Sequence, residues 1–356
     1  MKPERDGATL PLNILVFDMD GVLIDVSKSY RKTIEETIRI YLETCLQFRG
    51  VRRKPPLDRA VSLFKAAGGF NNDWDLTSGL LLYLLSLSGL PASLKRKEFS
   101  SIPETVAYLR GKSSGFSAKI PAVVNQGHLS SFLEGAKASG QGLKGIRRAL
   151  QGSWEGWVYG CGDLDQTNVI KRIFQEVYLG RKFTSCYPLK RLFYRGNGYF
   201  LRERMLIPVE VLSAFRRKIL LGIATGRPRF EAELALKRFH LLSRFKSIVT
   251  LDECLKEERR LFCTTGKRLK RTKPHPFPLI KAIEEIGIPV PRCGYVGDAV
   301  DDIRAARTLK EKAPVLAIGY IPGPRNRTLE KALKEAGADR LIRRPKELLR
   351  FVASFR

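Results

Sequence analysis

The sequence predicts an α/β chain: a doubly wound, Rossmann-like parallel sheet interrupted by a large, mainly helical insertion. Three observations carry that expectation. Short apolar runs alternate with amphipathic, helix-length stretches near the start of the chain and again after residue 205, the pattern of a parallel sheet covered on both faces. Three of those runs end at a polar residue, Asp18, Thr225 or Asp298, and ligands bind at that edge of open parallel sheets. Between the first run and the second lies a long stretch of different character.

Taken in order, residues 14–17 read as a buried strand ending at Asp18. A helix follows from about Ser29, with Tyr30, Ile34, Ile38, Tyr41, Leu42 and Cys45 mostly three or four apart. Residues 219–224 are a strand ending at Thr225, 229–239 a helix, 246–250 a short strand, 276–286 a helix and 293–296 a strand running into Gly297-Asp298. Residues 315–319 and 338–342 complete the sheet. One domain is thereby assembled from residues 1–25 and 205–356, and residues 26–204 are an insertion after its first strand. Within the insertion, 57–67, 76–87 and 169–178 have helical spacing, whereas 111–157 is rich in Gly and Ser and reads as a mobile lid or a flexible, poorly ordered loop.

Composition narrows the function classes. Of 356 residues, 44% are hydrophobic, enough for real cores, and wholesale disorder is excluded. Lys plus Arg number 64 against 36 Asp plus Glu, a net charge of +28. Such a surplus draws polyanions or phosphorylated ligands, or is simply a solvated basic surface. The longest apolar stretch, 80–90, falls well short of the ~20 residues that a membrane-spanning helix needs and reads as a buried helix. The first residues carry too many charges for a secretory leader, so a cytoplasmic location is expected. The cysteines at 45, 161, 186, 254, 263 and 293 form no CxxC pair, and with three histidines in the chain they read as free thiols rather than a zinc site.

Four short motifs carry the chemistry. Asp18-Met19-Asp20-Gly21 sets two carboxylates at a strand end, where one can attack an electrophile while the other handles protons, and Gly21 permits a turn that would strain other residues. A DxDG string also opens calcium loops, but no carboxylate pattern continues here and no Glu stands at the twelfth position. Thr225-Gly226-Arg227 offers a hydroxyl and backbone N–H groups to a phosphoryl oxygen, or a plain helix cap. Lys273, before Pro274 and Pro276, sits on a stiff segment where an ammonium can offset charge on a transferring phosphoryl group. Asp298 in Gly297-Asp298-Ala299-Val300-Asp301-Asp302 would join Asp18 in giving Mg²⁺ hard oxygen ligands, and Asp302 would orient Lys273 or a metal-bound water.

Appearing in this order, the four motifs resemble those of the haloacid dehalogenase superfamily of hydrolases. The long insertion between the first and second resembles the branch with its cap domain there, which includes phosphoglycolate-phosphatase-like enzymes. The resemblance implies Asp18 as nucleophile, Asp20 as general acid and base, and Thr225, Gly226 and Lys273 on the phosphoryl oxygens. It also implies Mg²⁺ held by Asp18, Asp298 and the backbone carbonyl of Asp20. The family's dehalogenases lack the second carboxylate, since a halide leaves without a proton, so Asp20 points to phosphoester hydrolysis of a small phosphorylated metabolite.

Specificity is expected from the insertion. Asn71, Asn72, Asp73 and Trp74 form a polar and aromatic cluster after Gly68-Gly69, although Asn72 or Asp73 can equally cap a helix and Trp74 can be core. Arg195 and Arg227 are further candidates for an anionic substrate. Two alternatives stand beside the phosphatase: a phosphomutase or phosphotransferase on the same core, and a nucleic-acid-binding protein or polynucleotide-end phosphatase. The last rests on the net charge and on Lys267-Arg268-Leu269-Lys270-Arg271-Thr272-Lys273, a run without interleaved aromatic residues to stack bases. No membrane partner is expected, and oligomeric state is left open.

Overall fold

Strand β1 (Ile14–Phe17) has all four side chains at 0% exposure, as an uninterrupted apolar run in a two-sided sheet requires. The computed structural model describes residues 12–51, 57–70, 72–120, 124–215, 219–310 and 313–354. The further strands are β2 (Ile24–Asp25), β3 (Arg204–Met205), β4 (Leu220–Ala224), β5 (Ser247–Val249), β6 (Cys293–Gly297), β7 (Val315–Tyr320) and β8 (Arg340–Ile342). Six of them form one sheet in the order β5-β4-β1-β6-β7-β8, parallel throughout. Ile14 stands beside Leu220 on one side and Cys293 on the other. The chain therefore winds outward from β1 in both directions, and the crevice this leaves lies past the strands' C-terminal ends. The expected doubly wound α/β architecture is the observed one.

Contacts divide the chain into two units, Met1–Asp25 with Arg204–Arg356, and Val26–Glu203. In the first unit, side chains alternate across the sheet. Ile14 and Val16 pack with Leu279, Ala282, Ile303 and Ala306, which belong to the helices Phe277–Ile286 and Val300–Lys310. Phe17, from the alternate set, meets Phe245 edge-on at 6.3 Å between centroids. The sequence reading missed the helix Leu251–Thr265, because only Leu251 and Cys254 of it are buried and little apolar period marks it. Its start is fixed by a capping box between Thr250 and Glu253, and its end by Gly266 at φ +68°.

The second unit is mainly helical. Tyr30–Ile40 continues as a π-helical turn, Tyr41–Cys45, and Asp58–Ala67, Asp73–Ser86 and Val169–Leu179 follow. Tyr30 stacks on Tyr178 at 4.4 Å and on Phe174 at 5.7 Å, joining the first and last of these. The reading of 111–157 as a flexible loop is corrected: the helices Ile102–Ser113, Gln126–Ser139 and Gly142–Ala149 occupy much of it. Three features that periodicity does not register hold the segment. Asn125 caps the helix through His128 N–H. The indole N–H groups of Trp154 and Trp157 donate to the carbonyls of Leu90 and Pro91 at 3.0 and 2.9 Å. At Gly142, φ +55°, a Cβ would lie 1.9 Å from the carbonyl oxygen of Gly69, so two backbones cross where only glycine fits. The six cysteines are free, and among the described residues no helix is long and apolar enough to cross a membrane.

Candidate active site

Asp18 stands where β1 leaves the sheet, its N–H donating to the carbonyl of Val296 at 2.9 Å. The chain then folds tightly on itself, with the N–H groups of Leu23 and Ile24 both reaching the carbonyl of Met19 at 2.9 Å. Gly21 sits in this loop at φ +78°, and a Cβ there would come within 2.0 Å of Asp298 Oδ2. Only glycine lets the first motif and the last approach each other this closely.

Lys273 joins three of the four motifs. Its Nζ donates to Asp18 Oδ1 at 2.8 Å and to Asp302 Oδ1 at 2.6 Å. It also donates to the hydroxyl of Tyr295 at 3.1 Å. That hydroxyl lies 3.0 Å from Asp302 Oδ1 and 3.2 Å from the carbonyl of Ala224, with one proton to share between them. Asp302 is 1% exposed and also accepts from the N–H of Ala299 at 3.0 Å, so it reaches back to the start of its own helix, Val300–Lys310, while orienting the lysine.

Burial and charge set the protonation of this cluster. Burial would push the Lys273 ammonium down, but the carboxylates of Asp18 and Asp302 outweigh it and hold the ammonium well above its usual range. Asp18 is pushed up to about 7, first by burial and then by the nearby Asp302 and Asp20, against the pull of Lys273. One ammonium shared between two carboxylates leaves the buried nucleophile candidate short of positive charge. Asp18, Asp298 and Asp302 each bring a carboxylate oxygen within 4.8 Å of the others. With Asp302 engaged by Lys273 and Ala299, Asp18 and Asp298 are the pair suited to a hard, oxygen-seeking cation such as Mg²⁺, which keeps several waters of its own.

Thr225 closes β4, buried at 2%, and its Oγ1 accepts from the N–H of Arg227 at 3.3 Å, while Gly226 between them is exposed. Arg227 does not stand open to a ligand as expected. Its side chain is 1% exposed, and Nε donates to Asp20 Oδ1 at 2.7 Å.

In the insertion the expected specificity cluster has structural duties. Asn72 is an N-cap, its Oδ1 accepting from the N–H of Asp75 at 2.7 Å. Asp73 pairs with Lys65 at 3.2 Å, and the ring of Trp74 lies under Lys171 Nζ at 4.6 Å and edge-on to Phe174. Asn71 lies outside the described residues, and Arg195 is exposed. Sequence reasoning passed over Tyr295, because an aromatic residue inside a buried strand looks like any core residue.

Residues 196–309 match the model of the haloacid dehalogenase-like hydrolases. Over 99 residues the chain is 36% identical to phosphoglycolate phosphatase of Xylella fastidiosa strain 9a5c, covering 28% of this chain and 37% of that protein. A weaker likeness, 24% over 315 residues, takes in 87% of this chain and 44% of imidazoleglycerol-phosphate dehydratase of Phytophthora nicotianae, and so extends through the insertion. The matched stretches thus span less than half of either relative. Among solved structures, phosphatase Tt82 from Thermococcus thioreducens shares the fold, with a TM-score of 0.50 and 24% identity over 90% of this chain and 98% of that one. The match to the haloacid dehalogenase-like hydrolases covers residues 196–309, and the sheet order and the motifs at the ends of β1, β4 and β6 accord with it.

Proposed function

We propose that the chain is a Mg²⁺-dependent phosphatase of small phosphomonoesters, with the unit around β1 as its catalytic core and Val26–Glu203 as the inserted cap. The observation that carries this reading is the convergence on Asp18 of an ammonium, a neighbouring pair of carboxylates and, two residues on, a further carboxyl group.

In the first step a carboxylate oxygen of Asp18 attacks phosphorus, and the bond from phosphorus to the leaving oxygen breaks. Asp20 gives that oxygen a proton as it departs. In the second step Asp20 takes a proton from the attacking water, whose oxygen bonds to phosphorus and releases Asp18. Lys273, the Thr225 hydroxyl and the Gly226 N–H meet charge on the phosphoryl oxygens. Mg²⁺, which Asp18, Asp298 and the backbone carbonyl of Asp20 would hold, supplies positive charge that lessens repulsion between the carboxylate and the phosphoryl group.

The test is release of inorganic phosphate from a panel of phosphorylated sugars, hydroxy acids and nucleotides, with Mg²⁺ and with EDTA. Mg²⁺-dependent release from some members is expected. Folded protein that releases none from any member would overturn the reading.

One observation favours a second reading, a phosphatase of polynucleotide ends. Phe262, 45% exposed, lies beside the basic run, with the Arg268 guanidinium 5.5 Å from its ring. Base stacking on such a ring is the element the run itself lacks.

A further inference from the structure

We propose that Arg227 is a positioning residue for proton transfer by Asp20 and does not bind substrate, an inference that rests on the phosphatase reading above. The two residues are far apart in sequence, yet the guanidinium reaches Asp20 Oδ1 twice, from Nε at 2.7 Å and from Nη2 at 2.5 Å. The arginine side chain is 1% exposed and the aspartate side chain 29%. Taking a guanidinium out of water is costly unless a carboxylate meets it, so this contact is built into the core and differs from an exposed ion pair.

Both ends are anchored. The N–H of Arg227 donates to Thr225 Oγ1 at 3.3 Å, and its carbonyl accepts from Leu251 N–H at 2.9 Å. Asp20 lies in the tight loop closed by Met19 and by the Gly21 N–H, which donates to Ile24 O at 2.8 Å. A side chain serving substrate would instead reach the opening, as the exposed Gly226 beside it does.

Among the described residues both donors fall on one oxygen, and that choice has a chemical consequence. With Oδ1 held, Oδ2 is the oxygen placed to give and take the proton. As the phosphorus–oxygen bond of the ester breaks, the proton passes from Oδ2 to the departing oxygen. When water attacks the phosphoaspartate, a proton returns to Oδ2. The geometry keeps this one oxygen in register for both transfers.

The test compares leaving groups. Wild type, Arg227→Met and Arg227→Lys are assayed with Mg²⁺ on 4-nitrophenyl phosphate, whose alcohol departs without help, and on phenyl phosphate, whose alcohol needs the proton. Arg227→Met should lose ~10²-fold in kcat on phenyl phosphate and no more than about tenfold on the nitrophenyl ester. Arg227→Lys should recover part of the loss, and it replaces the methionine variant if that one fails to fold. In an Asp20→Asn background, Arg227→Met should cost less than about threefold more, because its partner is already disabled. Equal losses on the two esters, losses that multiply in the double variant, or a rise in KM alone would each overturn the assignment. Wild type that releases phosphate from neither ester nor from any member of the panel above would overturn the phosphatase reading itself and this inference with it.

Discussion

Two buried carboxylates, one in each unit, face opposite circumstances. Glu176, in the helix Val169–Leu179, is fully buried and satisfied: Arg172 Nε donates to it at 2.8 Å, and the N–H groups of Leu192, Phe193 and Tyr194 reach it at 2.9, 2.7 and 3.0 Å. Asp18 is nearly as buried, but it shares a single ammonium with Asp302 and stands close to further acids. The first arrangement spends a charge on holding a loop in place. The second leaves a charge unsatisfied at a sheet edge, where a ligand can complete it. Buried polarity alone therefore does not mark a site, whereas polarity short of partners does.

The largest expected effect is on turnover. Asp18→Asn should lower phosphate release by roughly 10⁴-fold or more, since the proposed nucleophile is gone. A residual rate within tenfold of wild type in single-turnover assays would break the contrast. Glu176→Gln should do the reverse. Its amide group would turn a donor toward N–H groups, at a cost of about 3 kcal/mol in urea unfolding, while kcat per folded molecule stays unchanged.

The same contrast has a pH signature. Asp18 binds its proton more tightly in the folded chain than in the unfolded one, so its own contribution to the stability of the metal-free protein is greatest below about pH 4 and is lost as pH rises through about 7. Asp18→Asn lacks this slope. Melting in EDTA should show the variant ahead by on the order of 1–3 kcal/mol at pH 8 and level near pH 4. A gap that widens toward acid would contradict the assignment.

How much of this was legible in sequence follows the same division. β1, β4 and β6 announced themselves because fully buried runs stop at Asp18, Thr225 and Asp298, and local rules alone give no reason for those stops. In the insertion, polar residues obey local rules. Asn72 offered both specificity and a helix cap, and it does cap the helix. The segment 111–157 looked like a loop because its anchors are indole N–H groups reaching distant carbonyls, which no periodicity encodes. Arg227 illustrates a related limit: a long cation beside a phosphate motif suggests a ligand, and its contact with Asp20, 207 residues away, is not written in the local sequence.

Smaller effects sharpen the picture. Asn72→Ala should cost about 1 kcal/mol in thermal unfolding and leave KM unchanged; a raised KM with no loss of stability would return that cluster to specificity. The basic run beside Phe262 should matter least. Phosphatase activity should fall modestly between about 50 and 200 mM salt, and added polynucleotide should not compete. Strong inhibition that fades ~10³-fold across that range would signal six or more phosphate contacts and favour polynucleotide ends.

β2 and β3 run antiparallel with Ile24 opposite Met205, and the N–H of Leu206 donates to Leu23 O at 2.9 Å. Residues so paired lie ~4.5–5.5 Å apart, a gap that a two-residue hairpin turn closes as readily as the whole of Val26–Glu203 does. The sheet is thus indifferent to what is spliced between these strands. An insertion can be exchanged, enlarged or discarded at this joint over evolutionary time while the turn at the end of β1 is inherited intact.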